Sequence, residues 1–151
     1  MNRVRIDIPA SLPFSCSIPI RITDINYGNH TGNQVFLELL HEARVRFLSN
    51  LGCGELNFFG ISLIMSDAAI EFKSEILYGD EVEVQVGVDN HHAVGFDLVY
   101  LVSRIRQNQI AVAAKAKTGM ICYDYQLAKV MRLPAIAITD LERFKLATPT
   151  N

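Results

Sequence analysis

The sequence predicts an α+β domain in which an antiparallel sheet of about five strands wraps round one long central helix. Three observations carry that prediction. The stretch QVFLELLHEARVRFLSNL at residues 34–51 has no Pro or Gly and is rich in apolar residues. Four β-rich stretches follow it, and one of them, EVEVQVGV at 81–88, alternates strictly between polar and apolar. Clusters of turn-forming residues separate these stretches.

In chain order, residues 16–22 read as a short first strand that leads into the polar loop TDINYGNHTGN. Asn33 is placed as the N-cap of the 34–51 helix and Gly52 as its stop. Apolar side chains on that helix cover more than one stripe, so protein is expected on most of its sides. Strands are expected at 62–76, 81–88, 96–105 and 110–123, with turns at 78–80, 89–92 and 107–109. A last short helix is expected at 139–146, capped by Thr139. Strand, long helix, then four strands is the order of the hot-dog architecture. A sheet of that kind keeps a free edge and leaves part of its helix uncovered, which predicts a homodimer or homotetramer.

Composition narrows the function classes. The 151 residues form one domain, 1–151, and a chain of that length buries roughly 68–70% of its unfolded surface. Half of the residues are hydrophobic, the formal net charge is −2, and no block of like charge suggests a nucleic-acid or membrane-surface arm. The longest small-apolar run, IAVAA at 110–114, stops at Lys115 and Lys117, so no membrane span is expected. Three scattered cysteines, Cys16, Cys53 and Cys122, read as reduced, which makes a cytoplasmic location the expectation.

Several motif fragments fail. HEARV at 41–45 begins like a zinc-protease helix but has Val45 where the second His must stand. GCGELN at 52–57 follows a helix rather than a strand and ends in Asn, the wrong context for a dinucleotide loop. Ser62 in FGISL lacks the second glycine of a nucleophile elbow. His91 and His92 read as a solvated turn rather than a ligand pair. No metal or cofactor is expected.

The polar loop is different. Gly28 and Gly32 permit a close backbone approach, and the free N–H groups at the helix start favour an oxygen on which negative charge develops. Residues 21–44, RITDINYGNHTGNQVFLELLHEAR, resemble the signature of the 4-hydroxybenzoyl-CoA thioesterase branch of the hot-dog superfamily. That pattern is Asp-x-Asp-x-x-Gly-His-x-x-Asn, an aromatic, then Glu-x-Ala-Arg. The segments IEF at 70–72, YGD at 78–80, TGMICYD at 118–124 and RLP at 132–134 are also similar to the family. The resemblance implies hydrolysis of an acyl-CoA or other acyl thioester at a dimer interface, without metal or redox cofactor. Pantetheine would enter along the sheet, and the carbonyl would meet the helix start near Gly32, Asn33 and Gln34.

One departure matters. The family's second Asp, its usual nucleophile or base, falls on Asn26, and a carboxamide cannot take that role. Three other residues are candidates for the base. Asp67 lies in the apolar stretch LIMSDAAI, where a carboxylate must find a partner or shift its pKa upward. Glu42 is the second choice, its other reading being an (i, i+4) pair with Arg46. His30 polarises the carbonyl, orients the loop or acts as base. Asn26 would bind water or the carbonyl oxygen, Asp24 would pin the loop, and Tyr27 and Phe36 would form wall. Two rival readings stay open: a non-catalytic acyl-CoA-binding protein, and a hot-dog hydratase or dehydratase.

Overall fold

The computed structural model describes residues 1–147. Its elements are β1 (Phe14–Pro19), a 3-10 turn (Ile22–Asp24), α1 (Asn33–Asn50), β2 (Ser62–Phe72), β3 (Glu81–His92), β4 (Gly95–Arg106), β5 (Gln109–Asp124), β6 (Lys129–Val130) and α2 (Ala135–Arg143). The strands run in the order β1-β3-β4-β5-β2, all antiparallel, with β6 added to the end of β5. This sheet curved over α1 is the hot-dog fold.

Several boundaries differ from the sequence expectations. Residues 89–92 are strand, not turn, because a bulge between Val88 and Asn90 absorbs the register change and lets β3 pair on as far as His92 opposite Gly95. His91 then reaches α2, with its Nε2 2.8 Å from Glu142 Oε1. The final helix starts at Ala135, directly after Pro134, so Thr139 lies inside it instead of capping it. Asn33 is the first residue of α1, and Gly32, without a capping side chain, occupies the N-cap. The turn at Gln107 and Asn108 is as expected. Both residues have positive φ, 49° and 61°, as a two-residue hairpin between twisted strands requires.

The core lies between the inner face of the sheet and α1. Val84, Phe96, Leu98, Tyr100, Ala114 and Met120 meet Leu40, Ala43, Phe47 and Leu48, all essentially inaccessible. Cys122 is sealed in the same layer, and burial pushes its thiol up to about 11. Contrary to the expectation of a wrapped helix, α1 is buried on one face. Leu37 and Val45 keep 43% and 44% of their surface on the other.

On the outer face of the sheet, the N-terminal arm runs from β2 to β3. Ile6 N donates to Glu71 Oε2 (3.0 Å) and Leu12 N to Gln85 Oε1 (2.7 Å), while Leu12 packs on Val99 and Leu101. The two sheet edges are unequal. The segment after α2 extends the short β1 edge, with Val88 N donating to Phe144 O (2.8 Å) and Leu146 N to Val88 O (3.0 Å). β2 stands at the opposite end of the sheet, and nothing among the described residues pairs with its outer side.

Candidate active site

The loop between β1 and α1 is closed on itself. Asp24, buried, accepts Arg21 N at 2.8 Å and the Arg21 guanidinium at 3.1 Å, and its carbonyl takes the Gly32 N–H at 3.1 Å. This is the pinning role expected for Asp24. Asn26 N donates to His30 O (2.9 Å), while Asn26 Oδ1 accepts Gly28 N (2.9 Å). Thr31 N ties the loop to Ile76 O at 2.8 Å. Gly28 is needed for space, since a Cβ there would lie 2.9 Å from His30 Nε2 and 3.2 Å from Asn26 Oδ1. Asn26 and His30 therefore converge over it.

Beside this loop, a cleft of about 210 Å³ is lined by His30, Thr31, Asn33 and Phe36 on one side and by Phe72, Lys73, Ser74 and Glu75 on the other. Phe36 meets Phe72 edge to face at 5.1 Å. His30 Nδ1 lies 3.1 Å from Thr31 O. A carbonyl only accepts, so Nδ1 carries the proton and the neutral ring keeps its lone pair on Nε2, 4.0 Å from Glu75 Oε1.

Two sets of donors at or beside the cleft have no partner among the described residues. Thr31 is 2% exposed, and its Oγ1 makes no hydrogen bond among the described residues. A buried hydroxyl left unpaired costs about 1–3 kcal/mol, which marks it as a group in need of a partner. The first N–H groups of α1, on Asn33 and Gln34, have no intrahelical acceptor and carry the positive end of an 18-residue helix. The Gly32 N–H, expected to join them, is spent on Asp24, and the Gln34 carboxamide folds over Gly32, where a Cβ would lie 2.6 Å from its Oε1.

The other expected site residues lie elsewhere in the protomer. Tyr27 points into solvent at the loop tip and forms no wall. Glu42 faces β1 in a separate groove of about 290 Å³ with Arg21, Asp24 and Glu38, and accepts Arg46 Nε at 2.8 Å. Arg46 also reaches Ser17 O at 2.7 Å, so the pair with Glu42 braces helix to strand. Asp67 is not in an apolar setting, because β2 is an edge strand and this residue follows a bulge at Met65/Asp67. Its side chain is 58% exposed, accepts Ser66 Oγ at 2.9 Å and lies 3.7 Å from Lys117 Nζ. It shares a register row with Gly119, whose neighbours Thr118 and Met120 point into the core, so Asp67 stands on the face of the sheet turned away from α1. A side chain at Gly119 would collide with its carboxylate.

Sequence reasoning missed Thr31, Phe72, Lys73, Ser74 and Glu75. Thr31 sits in the polar loop with no pattern to single it out. The others reach the cleft only through the pairing of β2 with β5. Among the described residues no three His, Cys, Asp or Glu side chains gather as a metal site, and no helix is long and apolar enough to cross a membrane.

Residues 20–141 match the model of the thioesterase-like superfamily. The chain belongs to that family. A search of curated protein sequences finds no match. Among solved structures, several thioesterases have the same fold at low identity. A thioesterase from Thermus thermophilus, complexed with coenzyme A and Zn, is 21% identical with a TM-score of 0.74, over 90% of this chain and 97% of that one. The 1,4-dihydroxy-2-naphthoyl-CoA thioesterase from Synechocystis is 24% identical with a TM-score of 0.73, covering 85% and 97%. A DHNA-CoA thioesterase from Staphylococcus aureus is 17% identical with a TM-score of 0.76, covering 88% and 97%.

Proposed function

We propose that this protein hydrolyses an acyl-CoA, or a similar acyl thioester, in the cleft at the start of α1. The observation that carries the reading is the convergence there of unpartnered donors, an imidazole lone pair and an aromatic wall, in a chain of the thioesterase-like superfamily. The carbonyl oxygen faces the Asn33 and Gln34 N–H groups and the Thr31 hydroxyl, which stabilise the charge as it grows. Water between His30 Nε2 and Glu75 gives its proton to the imidazole as it attacks. Collapse of the oxyanion expels the thiolate, which the imidazolium protonates. Asn26 keeps His30 in place, and Phe36 lies beside the acyl group.

Asp67 was the base favoured by the sequence. In one protomer it stands on the face of the sheet turned away from this cleft, so the base role passes to His30, and the free β2 edge is where a second copy would pair to give a homodimer or homotetramer. Light scattering tests that pairing, and a monomer at working concentration rejects it.

One observation favours a second reading. Asn26 Oδ1 is spent on Gly28 N, and on the resemblance to the 4-hydroxybenzoyl-CoA thioesterases this residue stands where an acid is usual, which suits a protein that binds acyl-CoA and turns nothing over. Thiol release from short, medium, long and aromatic acyl-CoAs decides between the two. Saturable release on one chain class is the expected result. Binding without release, seen by calorimetry, selects the second reading. Loss of activity in Asp67→Asn with retention in His30→Gln would reassign the base.

A further inference from the structure

A second groove, of about 730 Å³, lies on the outer side of the sheet between the N-terminal arm, Ile70, Glu71, Phe72 and Lys73 of the β2 end, and Lys115 of β5. Its wall carries Arg3, Arg5, Lys73 and Lys115 against two carboxylates, Asp7 and Glu71, in a chain whose net charge is −2. Glu71 is already engaged, by Lys73 on one oxygen and by Ile6 N on the other at 3.0 Å. Among the described residues Arg3, Arg5 and Lys115 form no ion pair. Three unpaired cations and one carboxylate likewise unpaired among the described residues, Asp7, thus face one concavity, which leaves it an excess of positive charge.

This groove is not isolated from the cleft. Phe72 and Lys73 line both, so the cleft opens over the end of β2 onto the cationic groove. The arm that brings Arg3 and Arg5 there is held at two points, by Ile6 N on Glu71 and by Leu12 on Val99, Leu101 and Gln85. The anchor at Ile6 brings the chain end that carries Arg3 and Arg5 to the groove, although their side chains are exposed and make no hydrogen bond there among the described residues.

Accepting the hydrolase reading for the cleft, we infer that the N-terminal arm holds the phosphates of the coenzyme A moiety, with Arg3, Arg5, Lys73 and Lys115 as their partners. A thioester seated at α1 with its pantetheine directed past Phe72 would reach this groove, since Phe72 and Lys73 line both. Coenzyme A carries a diphosphate and a 3′-phosphate, and guanidinium groups bind such anions through paired N–H donors. The concave shape fits a nucleotide better than the surface of an acidic carrier protein.

The test compares wild type with Arg3→Gln/Arg5→Gln on one acyl group carried by coenzyme A, by pantetheine and by a carrier protein. For acyl-CoA, KM is expected to rise about tenfold at low salt with kcat unchanged, and the gap narrows as salt screens the contacts. Acyl-pantetheine, which lacks the nucleotide, is expected to show no difference. An Arg3→Lys/Arg5→Lys chain, which keeps the charge, recovers part of the loss. An unchanged KM for acyl-CoA, an equal loss on acyl-pantetheine, or a loss confined to the carrier protein each overturns the inference. Binding of free coenzyme A, followed by calorimetry, distinguishes failure of the arm from failure of hydrolysis. Tenfold weaker binding in the variant upholds the arm even if no thioester is cleaved. Equal binding, or none to wild type, rejects it even if hydrolysis is fast.

Discussion

Two polar regions on α1 differ in what they leave unfinished. On the flank facing β1, Arg21 holds Asp24 and Arg46 holds Glu42, and on the flank facing Met65 and Thr118 Arg44 holds Glu55 at 2.6 Å. At the helix start, the Thr31 hydroxyl, His30 Nε2 and the first helical N–H groups lie at or near one cleft and make no hydrogen bond among the described residues. Paired charges complete a fold. Unpaired donors wait for something that is not protein.

The contrast predicts that substitutions on the two regions separate cleanly into losses of activity and losses of stability. The largest effect is expected from His30→Ala, with kcat down by about 10²–10⁴ and the urea midpoint nearly unchanged. An inactive variant that also unfolds early would make His30 a structural residue. Glu55→Ala should do the opposite. It strands the buried Arg44 guanidinium and lowers stability by about 3 kcal/mol, read by urea titration. Thr31→Val comes next. Removing a hydroxyl with no partner should leave the midpoint equal or higher, while kcat/KM falls about tenfold, the loss of one hydrogen bond to the developing oxyanion.

Asp80 gives a pH signature on the saturated side. Both its oxygens take Arg106, at 2.6 and 2.7 Å, and that pairing holds its carboxyl below the ordinary aspartate range. The stability it adds is complete above about pH 4, the unfolded value, and is lost as pH falls through the lowered folded value. Asp80→Asn should therefore differ from wild type at pH 7 and converge with it in acid. The smallest change is expected from Glu42→Gln, about 0.5 kcal/mol in stability and less than twofold in turnover, because its pair with Arg46 is exposed. A large loss of turnover there would restore Glu42 as a base.

Local patterns carried the fold into the sequence. The alternation of β3 needs no distant information, and α1 declares itself by length and by the lack of Pro and Gly. Where reading failed, tertiary context decided. Asp89, Asn90 and the two histidines look like a turn, yet a bulge keeps them in the strand. Asp67 looks buried among apolar neighbours, but an edge position and outward register expose it. For the site, the loop and helix start were legible because capping chemistry is local. The opposite wall, Phe72 to Glu75, was not, since pairing across the sheet brings it there. Tyr27 shows the converse error, an aromatic taken for wall that the loop holds in solvent.

Cys122 gives the molecule a clock. Its thiol lies under the sheet with no exposed surface, while Cys16 and Cys53 are partly open. A thiol reagent reaches Cys122 only when β5 lifts from the core, so the rate of its labelling counts the rare openings of the native state. Those openings can then be timed with and without ligand, with no mutation and no dye.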